Sequence, residues 1–246
     1  MIVVIPMAGG DAPFKDRGYP YCKSLIEIQG KPLVEHVWEN IQSLPAERFV
    51  FLIRKEDAEQ YHLAEVIKLL DERVTVVQTH GNTAGAACSV LLAIDEIDPE
   101  RELVVMNGDQ LIRVAFPDVV QSFRDRDLDG GAVVFHSIHP RWSFILLDEN
   151  GLAVEAAEKR PISKMATAGF YYFRRGGDFL QAVETMIKKD ANVNGQFYVC
   201  PAFNEMILRH ARVGVYPIER EDYLSLATPQ NVKEYEQRLN AEKGYR

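Results

Sequence analysis

The chain has 246 residues, 47% of them hydrophobic, and its 28 Lys and Arg against 36 Asp and Glu give a formal charge of −8. Such a chain is long and apolar enough to bury a core, but its negative balance offers no global field for nucleic acid or an anionic membrane, so any anionic ligand must be held by local groups. Cys22, Cys88 and Cys200 lack metal-ligand spacing and read as reduced thiols; with no basic leader and no apolar run near the length of a membrane span, a cytoplasmic protein is expected.

Residues 2–5 are a continuous apolar run and read as a buried strand. Behind them comes a long loop, MAGGDAPFKDRGYPYCKS at 7–24, rich in glycine and positive charge. Residues 32–44 carry Leu33, Val34, Val37, Trp38, Ile41 and Leu44 at a helical period. A strand at 49–53, a helix at 56–70, a strand at 74–78, a helix at 83–97 and a strand at 103–106 follow, the last ending in Asn107-Gly108-Asp109. This alternation predicts parallel strands joined by right-handed crossovers, with helices on both faces of an open sheet.

After that the rhythm changes. A helix is expected at 118–126 and a strand at 131–137. Residues 144–147 and 154–159 read as a hairpin around Asp148-Glu149-Asn150-Gly151, because Asn-Gly supplies positive φ cheaply. A strand at 169–173, helices at 179–188 and 202–210, a strand at 213–218 and a closing helix at 228–240 complete the chain. Thr228-Pro229 has the form of an N-cap with Pro in the first helical position. The EKGYR end reads as solvated, and with no linker or internal repeat the chain is expected to be one domain over 1–246.

In open α/β sheets, ligands bind beyond the carboxyl ends of the strands, and three features fall there. In the loop at 7–24, glycines let the backbone approach a phosphate, and Lys15, Arg17 and Lys23 can neutralise it. Neither Walker A spacing nor a clean G-x-G-x-x-G is present, which argues against a P-loop or a dinucleotide site. Asp109 at a strand end suits Mg²⁺ held between protein and phosphates, though Asp is also ordinary turn chemistry. HGNTAGAACSV at 80–90 supplies small residues against which a planar base can lie, or which simply permit tight helix packing. His136 and His139 read as strand-end polar residues rather than a metal pair.

In this order the segments resemble the sugar-phosphate nucleotidylyltransferases (nucleoside-diphosphate-sugar pyrophosphorylases) and their phosphocholine cytidylyltransferase relatives. AGGDAPF…CKSLIEIQGKPLVEHV stands where that family has G-x-G-x-R…P-K-P/S-L, GNTAGAACSVLLA where it has its base-contacting segment, and VVMNGD where it has a metal-binding aspartate turn. EKRPIS, TAGFYYF and NGQFYV follow collinearly. The resemblance implies an α/β fold with an open, mostly parallel but mixed sheet flanked by helices, Rossmann-like in the manner of nucleotide-diphospho-sugar transferases. It also implies a nucleotide-binding half at 1–115 and an acceptor-binding half at 116–246.

The implied activity joins a nucleoside triphosphate to a small phosphorylated acceptor, such as a sugar 1-phosphate, with release of pyrophosphate. It serves the kind of chemistry that feeds polysaccharide biosynthesis, and neither nucleic acid nor membrane is an expected partner. Lys23, Asp109 and Lys159 would carry catalysis, Asp109 as the ligand of Mg²⁺. Ala8, Gly9, Gly10, Lys15 and Arg17 would contact the nucleotide, together with Gln78, Gly85 and Ala86. Asn107, Gly108 and Glu158 would contact the acceptor, together with Gly169, Asn194 and Tyr198. The base, the acceptor and the oligomeric state stay open.

Several positions depart from the family pattern. Asp11 replaces the second glycine and Pro13 the arginine of the loop, which sets a carboxylate beside a triphosphate and removes a cation worth roughly 10²–10³ in rate. Lys15 or Arg17 is the expected stand-in. Cys22 replaces a proline; beside Lys23 its thiol would be activated, although it does not read as a nucleophile. Ser225 replaces a second metal aspartate and Ala227 a glycine, with Asp222 as a substitute upstream. These departures keep two alternatives open: a weak or silent nucleotide-binding relative, and a glycosyltransferase of the related fold, which would need an acid pair where NGDQ offers one acid.

Overall fold

Strand β1 (Ile2–Pro6) and helix α1 (Ala12–Lys15), which lies within the glycine-rich loop, open the chain. A short hairpin of β2 (Glu27–Ile28) and β3 (Lys31–Pro32) leads into α2 (Leu33–Ile41), followed by β4 (Arg48–Arg54), α3 (Lys55–Tyr61) and α4 (Leu63–Lys68). Next come β5 (Val74–Thr79), α5 (Ala86–Leu91), β6 (Leu103–Met106), β7 (Gln110–Ile112), α6 (Phe116–Asp125) and β8 (Gly130–His136). The remainder is β9 (Ser143–Leu147), β10 (Ala153–Glu158), β11 (Met165–Phe173), α7 (Gly176–Lys188), α8 (Ala202–Ile207), β12 (Val213–Ile218), β13 (Tyr223–Ser225) and α9 (Pro229–Gly244). The structure, a computed structural model, describes residues 1–244; Tyr245 and Arg246, the end of the tail expected to be solvated, lie outside the described residues.

One nine-stranded sheet carries both halves of the chain, in the path β10-β9-β11-β6-β1-β4-β5, with β8 pairing β11 and β12 pairing β8. β1 is parallel to β4 and β6, and β4 to β5, as the strand–helix alternation predicts. Side chains alternate between two cores: Val3, Ile5, Phe49 and Phe51 pack on one face, Val4, Val50 and Leu52 on the other. Burial on both faces explains why β1 reads as an unbroken apolar run. α2 and α6 cover the first face, α5 and α7 the second.

The second half adds antiparallel strands. β11 runs antiparallel to β6 and to β8, and its register against β8 shifts between Thr167 and Tyr171. Gly169 sits in that shift at φ +67°, and a Cβ there would run into the side chains of Asn107 and Gln110. The bend splits β11: Ala166 pairs with Phe144 of β9, whereas Phe170 to Phe173 pair with β6.

Some elements differ from expectation. The helix expected over 56–70 is two helices, because His62 takes a left-handed conformation at φ 54°, which His tolerates better than most side chains. The helix expected over 83–97 is confined to α5 and a single 3-10 turn at Ile94–Glu96, since residues 84–87 are tied instead to Phe197: its N–H donates to Ala84 O at 2.7 Å and its carbonyl accepts from Ala87 N at 3.0 Å. The strand at 169–173 begins earlier, at Met165. β2, β3, β7 and β13 are too short to show a period. α9 starts as expected, with Thr228 Oγ1 accepting the Asn231 N–H at 3.2 Å. Among the described residues no helix is long and apolar enough to cross a membrane.

Candidate active-site cleft

A cleft of about 880 Å³ opens beyond the carboxyl ends of β1 and β6. Its floor is the turn Asn107-Gly108-Asp109. Gly108 packs so closely on the Met7 side chain that a Cβ would collide with it, so this glycine is required by packing rather than by ligand access. The turn is anchored on two sides: Asn107 N–H donates to Gly169 O at 3.0 Å, and Leu226 N–H donates to Asp109 O at 2.7 Å. The second anchor belongs to the β7–β13 ladder, which sets Ser225 opposite Gln110 and next to Asp109.

Lys23 and Asp109 meet at the centre. Lys23 Nζ lies 2.7 Å from Asp109 Oδ2, the two side chains being 13% and 29% exposed. They are 86 residues apart in sequence, brought together because a 3-10 turn at Lys23–Leu25 faces the end of β6. Ala8, Gly9, Gly10, Gly85 and Ala86 line the same cleft, and so do Asn107, Gly108, Glu158, Gly169 and Tyr198.

Lys15, Arg17, Gln78, Lys159 and Asn194 do not line it. Lys15 and Arg17 are exposed on and after α1, and Gln78 is exposed on the edge strand β5. Asn194 is an exposed turn residue at φ 53°, and its neighbour Gln196 reaches the cleft instead. Lys159, also exposed, donates to Tyr198 Oη at 2.7 Å, a bond that raises the ammonium pKa. It therefore stands at the rim, held by a residue that does line the cleft. Glu158 is buried and accepts from Ser143 Oγ; burial raises its carboxyl pKa despite that bond and the nearby Lys159 charge.

The carboxylate of Asp11, expected to face a triphosphate, is turned away and 3% exposed. Arg54 Nη2 lies 3.0 Å from its Oδ2, and Lys15 Nζ 3.3 Å from its Oδ1. Arg54 also holds buried Asp57 through Nε and Nη2, both at 2.9 Å. Burial alone would raise the Asp11 pKa, but Arg54 and Lys15 outweigh it and the net shift is downward. Lys15 is thus a partner of Asp11 rather than a free replacement for the loop arginine. Cys22 is 1% exposed, and burial pushes its thiol up to about 11, with the Asp57 charge adding to the effect; the activation expected from Lys23 is overridden. Asp222 lies 3.6 Å from Arg113 Nε and does not line the cleft, so it is no substitute metal ligand, whereas Ser225 does line it.

One wall was not anticipated. Phe135 and Tyr223 stack with centroids 5.1 Å apart, and Trp142 stands perpendicular to both. The Arg220 guanidinium lies 5.0 to 5.8 Å from all three rings, and Arg141 lies 4.5 Å from that of Trp142. Trp142 is one of only two tryptophans in the chain and follows an arginine in a turn, which is the one local signal; Arg220 is 78 positions further on and gives none. Arg54, likewise, has no sequence signal linking it to Asp11.

The Nucleotidyl transferase family profile matches residues 19–206. The UTP–glucose-1-phosphate uridylyltransferase AglF of Haloferax volcanii is 26% identical over 159 residues, covering 61% of this chain and 63% of that protein. The bifunctional protein GlmU of Methanocaldococcus jannaschii is 27% identical over 157 residues, 61% of this chain and 34% of that protein, so the chain matches less than two thirds of either curated relative. The crystal structure of the nucleoside-diphosphate-sugar pyrophosphorylase from Vibrio cholerae RC9 superposes with a TM-score of 0.84 at 26% identity, covering 96% of this chain and 99% of that one. A putative glucose-1-phosphate thymidylyltransferase from Bacillus anthracis shares the fold at a TM-score of 0.75 and 15% identity, with 96% and 94% covered. With a profile match across most of its length and a close structural counterpart, the chain belongs to the nucleotidyl transferase family.

Proposed function

We propose that the chain joins a nucleoside triphosphate to a phosphorylated sugar, releasing pyrophosphate. The observation that carries this reading is the Lys23–Asp109 pair at 2.7 Å inside the cleft, flanked by the glycines of the β1 loop. The reaction needs no nucleophilic side chain, because the acceptor brings its own phosphate oxygen to attack the α-phosphorus while pyrophosphate leaves in line. The protein's task is to hold two repelling anions together and to oppose the charge that develops.

Lys23 is placed to neutralise the triphosphate as it lies over the backbone of Ala8, Gly9 and Gly10. Gly85 and Ala86, which line the cleft where the chain enters α5, take the base. Lys159, steadied by Tyr198, meets the acceptor phosphate at the rim, and Glu158 with the bend at Gly169 receives the sugar. The donor set suits Mg²⁺: one partly exposed carboxylate, Asp109, is what this ion uses when substrate phosphates and water complete its shell. Mg²⁺ held there by Asp109 would supply charge neutralisation on the polyphosphate. Because Asp11 is locked onto Arg54, it adds no exposed negative charge to the loop.

The test is pyrophosphate release over the four NTPs with a panel of sugar 1-phosphates, run beside a thermal-shift screen of the same NTPs with and without Mg²⁺. One NTP that raises the melting temperature and supports turnover is the expected result. A shift without turnover on any acceptor would favour the silent nucleotide-binding alternative. The absence of both a shift and turnover would refute the proposal.

A further inference from the structure

Trp142 and Tyr223, which line the cleft, and Phe135, buried behind them, have the form of an aromatic cage, and a cage of this kind ordinarily takes a cation. Here Arg220 occupies it, with its guanidinium 5.0 Å from the Phe135 centroid and 5.4 Å from that of Tyr223. Among the described residues only one of its five donors is spent, on Tyr223 O at 3.1 Å. Arg141 lies against the same Trp142 and its guanidinium makes no hydrogen bond among the described residues. Neither arginine has a carboxylate partner among the described residues, although the chain carries an excess of acids. Both line the cleft. Two exposed guanidiniums held against aromatic rings, with most of their donors unspent among the described residues, form a receptor for a planar anion.

That anion is distinct from the acceptor phosphate. In the reading above Lys159 takes the phosphate, and its backbone N–H donates to Trp142 O at 2.9 Å, which ties it to the strand end that carries the ring against which Arg141 and Arg220 lie. We propose that Arg141 and Arg220 select a sugar phosphate carrying a second negative group, a carboxylate on the sugar ring. The inference rests on the nucleotidyltransferase reading above and narrows its acceptor. It also disfavours a trimethylammonium acceptor such as phosphocholine, since the aromatic faces such a headgroup would use are already covered by Arg220.

The experiment compares glucuronic acid 1-phosphate, glucose 1-phosphate and phosphocholine as acceptors for the full chain, in wild type and in Arg141→Gln, Arg220→Gln and Arg220→Lys variants. Calorimetric binding of the two sugar phosphates is measured in parallel. The wild type is expected to prefer the glucuronic acid ester by about ten- to a hundredfold in kcat/KM, mainly through KM, the range that charged hydrogen bonds supply. Added salt and either Gln variant should shrink the ratio, and Arg220→Lys should restore it only in part. A wild-type ratio near one, a ratio unchanged in both Gln variants, a preference for phosphocholine, or an equal weakening of both sugar phosphates in the Gln variants would overturn the proposal. If Arg220→Gln unfolds, Arg141→Gln still decides, because the Arg141 guanidinium carries no hydrogen bond of the fold. Should no acceptor yield pyrophosphate, the nucleotidyltransferase reading fails by itself, and the calorimetric ratio alone judges the anion preference.

Discussion

Replacing Arg54 by Leu tests the internal neutralisation of the β1 loop. The substitution removes hydrogen bonds of 2.9, 2.9 and 3.0 Å to Asp57 and Asp11, which are 6% and 3% exposed. The loss strands two buried carboxylates, with only Lys15 left near one of them. Breaking a buried ion pair on one side costs about 3–5 kcal/mol, because the orphaned charge has no solvent to replace its partner. For a chain of this size that corresponds to a fall in Tm of roughly 10 °C. The pH dependence follows from the direction of the Asp11 shift. In the wild type its pKa is lowered, so its contribution to stability is present above the unfolded carboxylate pKa and is lost as pH falls through the folded one. In the variant Asp11, without the Arg54 charge that lowers its pKa, takes up its proton at higher pH, so the gap between variant and wild type should narrow as pH falls from 7 towards 5. Urea denaturation at several pH values measures it, and adding Asp11→Asn and Asp57→Asn should recover most of the lost stability. A variant within about 1 kcal/mol of wild type at pH 7, or a gap that ignores pH, would refute the reasoning.

Three further outcomes are expected. Lys23→Met and Asp109→Asn should each lower pyrophosphate release by about 10²–10³ with little change in Tm, since both side chains are partly exposed in the cleft; an unchanged rate in either would remove that residue from the chemistry. Gly169→Ala forces a left-handed φ onto an L side chain and drives its Cβ into Asn107 and Gln110, so it should cost about 2–3 kcal/mol in denaturation and raise the acceptor KM; a neutral effect would mean that the β11 bend does not hold the Asn107 turn. Cys22, buried and with its thiol at about 11, should resist iodoacetamide at pH 7.5 until the chain is unfolded, as mass mapping of labelled peptides would show, and rapid native labelling would contradict the buried position.

What the sequence determined is what depends on nearest neighbours and on period. The parallel strands β1, β4 and β6 are each buried on both faces, which writes itself as apolar runs, while the edge strand β5 is half-buried and mixes Thr and Gln with its valines; the helices between them repeat at a helical spacing. The Asn107-Gly108-Asp109 turn and the glycines after β1 stand at strand ends, where α/β sheets place their ligands, so the two sides of the cleft were visible as motifs. Side-chain direction and long-range partners were not. Asp11 looked like an unpaired charge because Arg54 is 43 residues away, and only the packing of the loop against β4 brings them into contact. Lys15 stood in the sequence as a spare cation for the same reason. The arginine-filled aromatic wall joins β8, the turn before β9 and the segment around β13, three pieces with no common period. Local propensity is a property of a few adjacent residues, whereas the charge a ligand meets is the sum over every segment that folds around the cleft, and that sum exists only once the chain has closed.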